Sequence, residues 1–214
     1  YKTNAIARLQ VPPSSSSAGP VGWVNFISGE SSNVYGTCSY CSEVVMSSTW
    51  NVDRLYDFGE SVGNEGLVGN ERGDGSPYTG LWAPGLNLHR SPLGGRNFEY
   101  YSEDSFLSGQ MAASVIKGGA TKGVYFTLKH FAVNEQETHR SITGLVTWIS
   151  EQSLREVYLK GFEIAIKTAK ENYIQRADGT REEGGAVKAL GVMSSFNRIG
   201  TRWTGGDYRL ITQI

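Results

Sequence analysis

Apolar residues fall along this chain in two kinds of pattern that take turns. The run GVYFTL, residues 123–128, is β-branched and aromatic, the composition of a buried strand. A second apolar run, AVKALGVMSSFN at 186–197, reads the same way, and GLWAPGLNLH at 80–89 alternates like a strand that finishes in polar groups. A short apolar piece from Val21 to Ile27 is a further candidate strand. Between these runs the spacing becomes helical. Trp50, Leu55, Phe58, Val62 and Leu67 follow Thr49, a candidate N-cap. FLSGQMAASVIKG at 106–118 follows Ser102 or Asp104, either of which can cap it. Ser150 opens a long helix over 151–173, with Leu154, Val157, Tyr158, Phe162 and Ile166 as its apolar face and Glu151 and Arg155 spaced to pair. Residues 1–48, with Pro12-Pro13 and the serine run Ser14–Ser17, read as irregular, and QRADGTREEGG at 175–185 reads as a polar hairpin-like insert.

Strands that alternate with helices, and that are apolar throughout rather than on one face, predict an α/β fold with a parallel sheet covered on both sides. Polar residues gather just past the strands: Asn87 and His89, Lys129 and His130, and Ser194 to Asn197. Chemistry sits at the C-terminal ends of strands in a TIM barrel, and a doubly wound sheet follows a similar rule. No GxGxxG or GxxxxGK[ST] follows the first strand, which weakens a nucleotide-binding fold.

Composition narrows the partners. Twenty Lys and Arg stand against 21 Asp and Glu, so no basic excess exists to neutralise a nucleic acid backbone. No stretch is long and apolar enough to cross a bilayer, and the N-terminus lacks an apolar signal core. Cys38 and Cys41, in TCSYCS, are the only cysteines; without a second CxxC they read as unpaired thiols rather than a zinc site. A reducing compartment, the cytoplasm, is the expectation. No metal or other cofactor is expected.

Four longer stretches carry a resemblance: LWAPGLNLHRSPLGGRNFEYYSED, KHFAVNEQETHR, ISEQSLREVYLKGFE and VMSSFNRIGTRWTGG. In this order they resemble the catalytic barrel of glycoside hydrolase family 3, and bacterial β-glucosidases in particular. The resemblance covers the chain from about Val11 to its end. It implies a single domain over residues 1–214, the N-terminal (β/α)8 TIM-barrel-like domain of that family, here a partial barrel. It also implies a retaining mechanism, with an Asp nucleophile and a Glu that acts as acid and then base.

The same resemblance assigns Lys129, His130 and Arg96 to the hydroxyls of a terminal β-linked sugar. Such groups suit the task, because vicinal hydroxyls are held well by charged donors with several N–H groups. Without the resemblance, Lys129 and His130 could equally be a salt-bridged lysine and a hydrogen-bonded core histidine, and Arg96 could simply pair with Glu99 or Glu103. Asn87 and His89 are candidates to line the pocket or to satisfy loop backbone. Asn134 and Arg140 are candidates to brace the loop after the Lys-His pair, and Phe196 to stack on a sugar face or to join the core.

Two positions depart from the family. Its first loop reads Asp-Gly-Pro, with the Asp gripping the sugar, where this chain has Ala18-Gly19-Pro20. Its nucleophile follows the segment matching GGDYRLITQI, so no catalytic carboxylate is expected in this chain and the nucleophile is expected beyond Ile214. About five candidate strands against the eight of a closed barrel agree with that. The expected function is therefore part of a β-glucosidase, with a second polypeptide as one way to complete the barrel. The alternatives are a non-catalytic carbohydrate-binding or interaction protein, or an inactive fragment.

Overall fold

A computed structural model describes residues 2–11, 13–23, 37–72, 78–140, 144–175, 178–187 and 191–214. In chain order its elements are β1 (Lys2–Thr3), β2 (Ser14–Ala18), α1 (Glu43–Ser47), α2 (Val52–Arg72), β3 (Tyr78–Trp82), α3 (Ser105–Ala120), β4 (Tyr125–Phe131), β5 (Val146–Thr147), α4 (Glu151–Ser153), α5 (Lys160–Thr168), β6 (Glu171–Gln175), β7 (Arg181–Val187), β8 (Gly191–Ser194), β9 (Arg198–Ile199), β10 (Arg202–Trp203) and α6 (Tyr208–Thr212). One sheet has the order β1-β2-β3-β4-β8. Strands β2, β3, β4 and β8 run parallel, and β1 adds an antiparallel edge. This is the α/β arrangement with a parallel sheet expected from the alternation, and the partial TIM-barrel-like fold implied by the resemblance. Among the described residues no strand pairs with the far side of β8.

The first parallel strand is the serine run and not the apolar piece after it. Val21 lies in a turn, Trp23 is core, and residues 24–27 lie outside the described residues. Serine is a weak strand former, so local preference hid β2. Tertiary pairing forms it: Ser15, Ser16 and Ser17 are buried against β3, and Ser16 Oγ meets Tyr125 Oη from β4.

Helix starts follow side-chain capping. Asp104 caps α3 by accepting from Leu107 N at 2.6 Å, while Ser102 in turn accepts from Asp104 N. Helix α2 begins at Val52 rather than beside Thr49, because Asn51 Oδ1 accepts from the amides of Asp53 and Arg54. Ser150 caps α4 through the Ser153 amide, and Arg155 pairs with Glu151 at 2.9 Å. A π-helical turn, Leu154–Tyr158, joins α4 to α5. Its wider ring shifts the buried stripe, so Leu154, Leu159, Phe162 and Ala165 face the core while Val157 and Ile166 are exposed. The helix ends at Thr168; the next residues form β6, which pairs antiparallel with β7 as the hairpin.

The main core joins α2, α3 and α5 to the sheet through Leu55, Phe58, Val62, Leu81, Met111, Ile116, Phe126, Leu128 and Phe162. Among the described residues no helix is long and apolar enough to cross a membrane. Helices α2 and α3 pack backbone to backbone. A Cβ on Gly118 would lie 2.1 Å from the carbonyl oxygen of Tyr56, and one on Gly59 2.1 Å from that of Val115. Neither oxygen can move without shifting a helix. Gly118→Ala is therefore expected to destabilise the fold by about 2–3 kcal/mol despite its better helix propensity; urea unfolding of the two proteins measures the difference, and an unchanged midpoint would show that the helices can separate freely.

Candidate active site

Past Trp82 the chain leaves strand geometry but stays beside β4. Lys129 N donates to Pro84 O at 3.2 Å, and Leu86 N donates to Lys129 O at 2.7 Å. Asn87 then stands in for a further strand residue: its side-chain amide donates to His130 O at 3.0 Å and accepts from His130 N at 2.8 Å. Asn87 thus satisfies backbone, and it does so for the residue pair that matters most. Lys129 and His130 lie inside β4, not after it, and both are buried. The peptide bonds Lys129–His130 and Phe131–Ala132 are cis.

Burying a lysine requires a partner. Lys129 Nζ lies 2.8 Å from Glu99 Oε2, and the other oxygen of Glu99 takes Arg96 Nε. Glu99 itself is 2% exposed. One carboxylate therefore gathers an ammonium and a guanidinium at the ends of β3 and β4. Burial works against the charge on Arg96, and the bond to Glu99 more than offsets it, so the group is held a cation. Arg96 Nη1 also faces Glu137 at 3.9 Å. Glu137 continues the chain of contacts, accepting from Asn134 Nδ2 at 2.8 Å and from Arg140 Nε at 2.7 Å. The Arg140 guanidinium lies 4.7 Å from the centre of the Phe196 ring, which is half exposed and not part of the core.

His130 is a neutral imidazole. Desolvation, then the positive charges of Arg96, Lys129 and Arg140, lower its pKa to about 2. Its Nδ1 lies between Tyr100 Oη at 3.3 Å and Asn87 Oδ1 at 3.4 Å. Nε2 makes no hydrogen bond within the described residues. Nearby, Glu135 accepts from Leu88 N, and desolvation raises its pKa to about 7.

The residues singled out in the sequence thus come together with one exception. Lys129, His130, Arg96, Asn87, Asn134, Arg140 and Phe196 form one connected network. His89 points elsewhere: its Nε2 meets Asn97 O at 2.9 Å, and it lines a small surface cavity with Trp50, Tyr101 and Glu103. Ala18 lies at the C-terminal end of β2, opposite Trp82 of β3. Two members of the network lie in the quoted stretches but were not singled out there: Glu137, and Tyr100 with its hydroxyl at His130. Glu99 enters the sequence reading only as a partner for Arg96. Three Asp residues serve local structure: Asp104 and Asp207 cap α3 and α6, and Asp178 accepts from Thr180 in a turn. Cys38 and Cys41 are exposed free thiols.

A parallel sheet that presents buried cations, amides and a histidine toward the C-terminal ends of its strands defines the class by fold: an α/β, partial-barrel protein with a polar cluster at the strand ends. The comparisons narrow it. The profile of the glycosyl hydrolase family 3 N-terminal domain matches residues 23–180. The chain belongs to that family. A β-glucosidase of Rhizobium radiobacter is 35% identical over the whole chain, which spans 23% of that protein. A β-glucosidase of Ruminococcus albus is 44% identical over 63% of this chain and 12% of its own length. Among solved structures, β-glucosidase 3B from Thermotoga neapolitana in complex with glucose superimposes with a TM-score of 0.79 at 36% identity, over all of this chain and 26% of that one. The Bifidobacterium adolescentis family 3 β-glucosidase gives 0.79 at 30% identity, over all of this chain and 27% of that one. The chain thus spans about a quarter or less of the proteins it matches.

Two predictions follow from this electrostatic arrangement. Removing the charge of Glu99 leaves a buried lysine unpaired, so Glu99→Gln is expected to cost about 3–5 kcal/mol, read from denaturant unfolding; a loss below about 1 kcal/mol would mean that the pair is well solvated. The second concerns pH. His130 binds a proton in the unfolded chain but not in the folded one between about pH 2 and 6.5, so its contribution falls as pH falls. Glu135 binds a proton in the folded chain but not in the unfolded one between about pH 4.5 and 7, so its contribution falls as pH rises. The slopes oppose each other between about pH 4.5 and 6.5. Over that window Glu135→Gln should steepen the loss of stability on acidification and His130→Gln should lessen it; equal slopes in all three proteins would refute both assignments.

Proposed function

We propose that this chain supplies the sugar-holding wall of a retaining β-glucosidase that removes terminal β-linked glucose from oligosaccharides or glycosides. The observation that carries the reading is the set of donors left over once the network is satisfied. Lys129 Nζ has three N–H groups and one carboxylate contact; Arg96 has five, and Glu99 and Glu137 engage only part of them. Both heads are oriented by the same carboxylate, so their remaining donors share one region, next to an imidazole with a free Nε2. Donors fixed in advance of binding favour the transition state, because they need no reorganisation as charge develops on the sugar ring.

In this reading the reacting carboxylates lie outside these 214 residues. Glu99 and Glu137, the two acids that face the cations, each carry two cation contacts. A carboxylate neutralised in this way is a poor nucleophile and a poor proton donor. In this reading an Asp attacks the anomeric carbon, a Glu protonates the leaving oxygen and later activates water, and the present chain binds and orients the sugar. The longer relatives named above, β-glucosidases by name, support a longer polypeptide as the source of both groups; a second chain completing the barrel would serve equally.

One observation favours a second reading, a non-catalytic carbohydrate-binding protein. Ala18 stands at the strand end where the family resemblance places a sugar-gripping Asp, and Ala accepts no hydrogen bond from a hydroxyl. Turnover of an aryl β-glucoside separates the two. In protein that carries the nucleophile, Lys129→Ala and Arg96→Ala are each expected to lower kcat/KM by roughly 10²–10³-fold, the usual loss for one oriented donor. Unchanged turnover in both variants would overturn the site. Glucose binding without any turnover would establish the second reading instead.

A further inference from the structure

Glu43, the first residue of α1, is fully buried, and nothing in the proposed chemistry uses it. An acid without a charged partner is expensive to bury, so its surroundings call for a reason. Its Oε1 accepts from Gly85 N at 3.2 Å. Gly85 is the hinge of the segment that seats Lys129: Pro84 accepts from Lys129 N, Leu86 donates to Lys129 O, and Gly85 bridges to both Lys129 and Tyr100. The turn is closed on its other side as well, since a Cβ on Gly85 would lie 2.1 Å from the carbonyl oxygen of Glu99. Without Glu43 the Gly85 amide would be a buried donor with no acceptor.

We propose that Glu43 is a positioning residue for the sugar site, holding the Gly85 amide and thereby the level at which β4 presents Lys129. It touches no substrate and acts through three backbone residues. The proposal rests on the reading of Lys129 as a sugar ligand. The groups facing Glu43 agree with a role in the acid form. Desolvation raises its pKa well above the usual carboxylate range; the Gly85 amide and the Lys129 charge pull it back, and the Glu99 charge pushes it up. Glu43 Oε2 and Tyr101 Oη are both buried without a hydrogen-bond partner among the described residues, so a protonated carboxyl leaves no bare charge there.

The test uses the full chain, with Glu43→Met, which keeps the volume and removes the acceptor, and Glu43→Gln, which keeps both. Glucose affinity is read by calorimetry, and amide hydrogen exchange is followed at Leu86, whose N–H is bonded to Lys129 O. Glu43→Met is expected to weaken glucose binding about tenfold and to speed Leu86 exchange at least about tenfold. Glu43→Gln should stay within about twofold of the unmodified protein in both. Wild-type affinity in Glu43→Met, or equal losses in the two variants, would overturn the proposal. If Glu43→Met does not fold, Glu43→Asp, one methylene short of Gly85, carries the same expectations. If the unmodified protein gives no heat with glucose, the reading of Lys129 fails. Leu86 exchange then decides the positioning role alone: acceleration in Glu43→Met upholds it and unchanged exchange overturns it.

Discussion

The double ion pair on Glu99 is the constraint around which the site is arranged. A carboxylate that is 2% exposed, an ammonium that is 4% exposed and the guanidinium of Arg96 meet at the ends of β3 and β4. Removing such charges from water costs several kcal/mol each, and the attraction among them recovers that only when every partner is present. Such a cluster is not an efficient route to stability, since apolar residues would pack there at lower cost. Its value is positional: two flexible cationic side chains are held in one geometry before any ligand arrives. Glu137 extends the same logic outward, tying Arg96, Asn134 and Arg140 together and placing Arg140 over Phe196.

The backbone supports this cluster from beneath. Lys129 and His130 are strand residues, fixed by Pro84, Leu86 and the side chain of Asn87 across the gap where β3 has ended. Glu43 closes the layer below at Gly85. The order of layers is therefore α1, the Ala83–Asn87 segment, β4, and then the donor groups of Lys129, His130 and Arg96. The close approach of α2 to α3 at Gly59 and Gly118 belongs to the same stack, since α3 leads directly into β4.

Much of this was legible in the sequence, and the rest was hidden for identifiable reasons. The run ending in Lys129 and His130 is a buried strand by composition, and it carries its charged pair into the core because Glu99 is there to receive it. Asp104 reads as a cap because a short acceptor before an apolar helix has few other uses. Ser14–Ala18 was missed because four serines carry no apolar signal, although pairing with β3 makes them a central strand. In the helix after Ser150, Leu154, Tyr158 and Phe162 were read on the right face, and Val157 and Ile166 were not, because a π turn shifts the stripe in a way no 3.6-residue period anticipates. Glu43 falls in the stretch read as irregular; only its reach to Gly85 gives it a purpose. Tyr100 meets His130 thirty residues on, and Glu137 joins the cluster through Arg96; spacing along a chain cannot report either contact.

The account stands or falls on what the spare donors of the Glu99 cluster hold. A crystal structure of the full-length protein with glucose bound tests this most directly. The account predicts sugar hydroxyl oxygens within about 3 Å of Lys129 Nζ, of an Arg96 Nη and of His130 Nε2, with Glu99 still bonded to both cations. Glucose bound away from β4, with Lys129 and Arg96 contacting only Glu99 and Glu137, would contradict it.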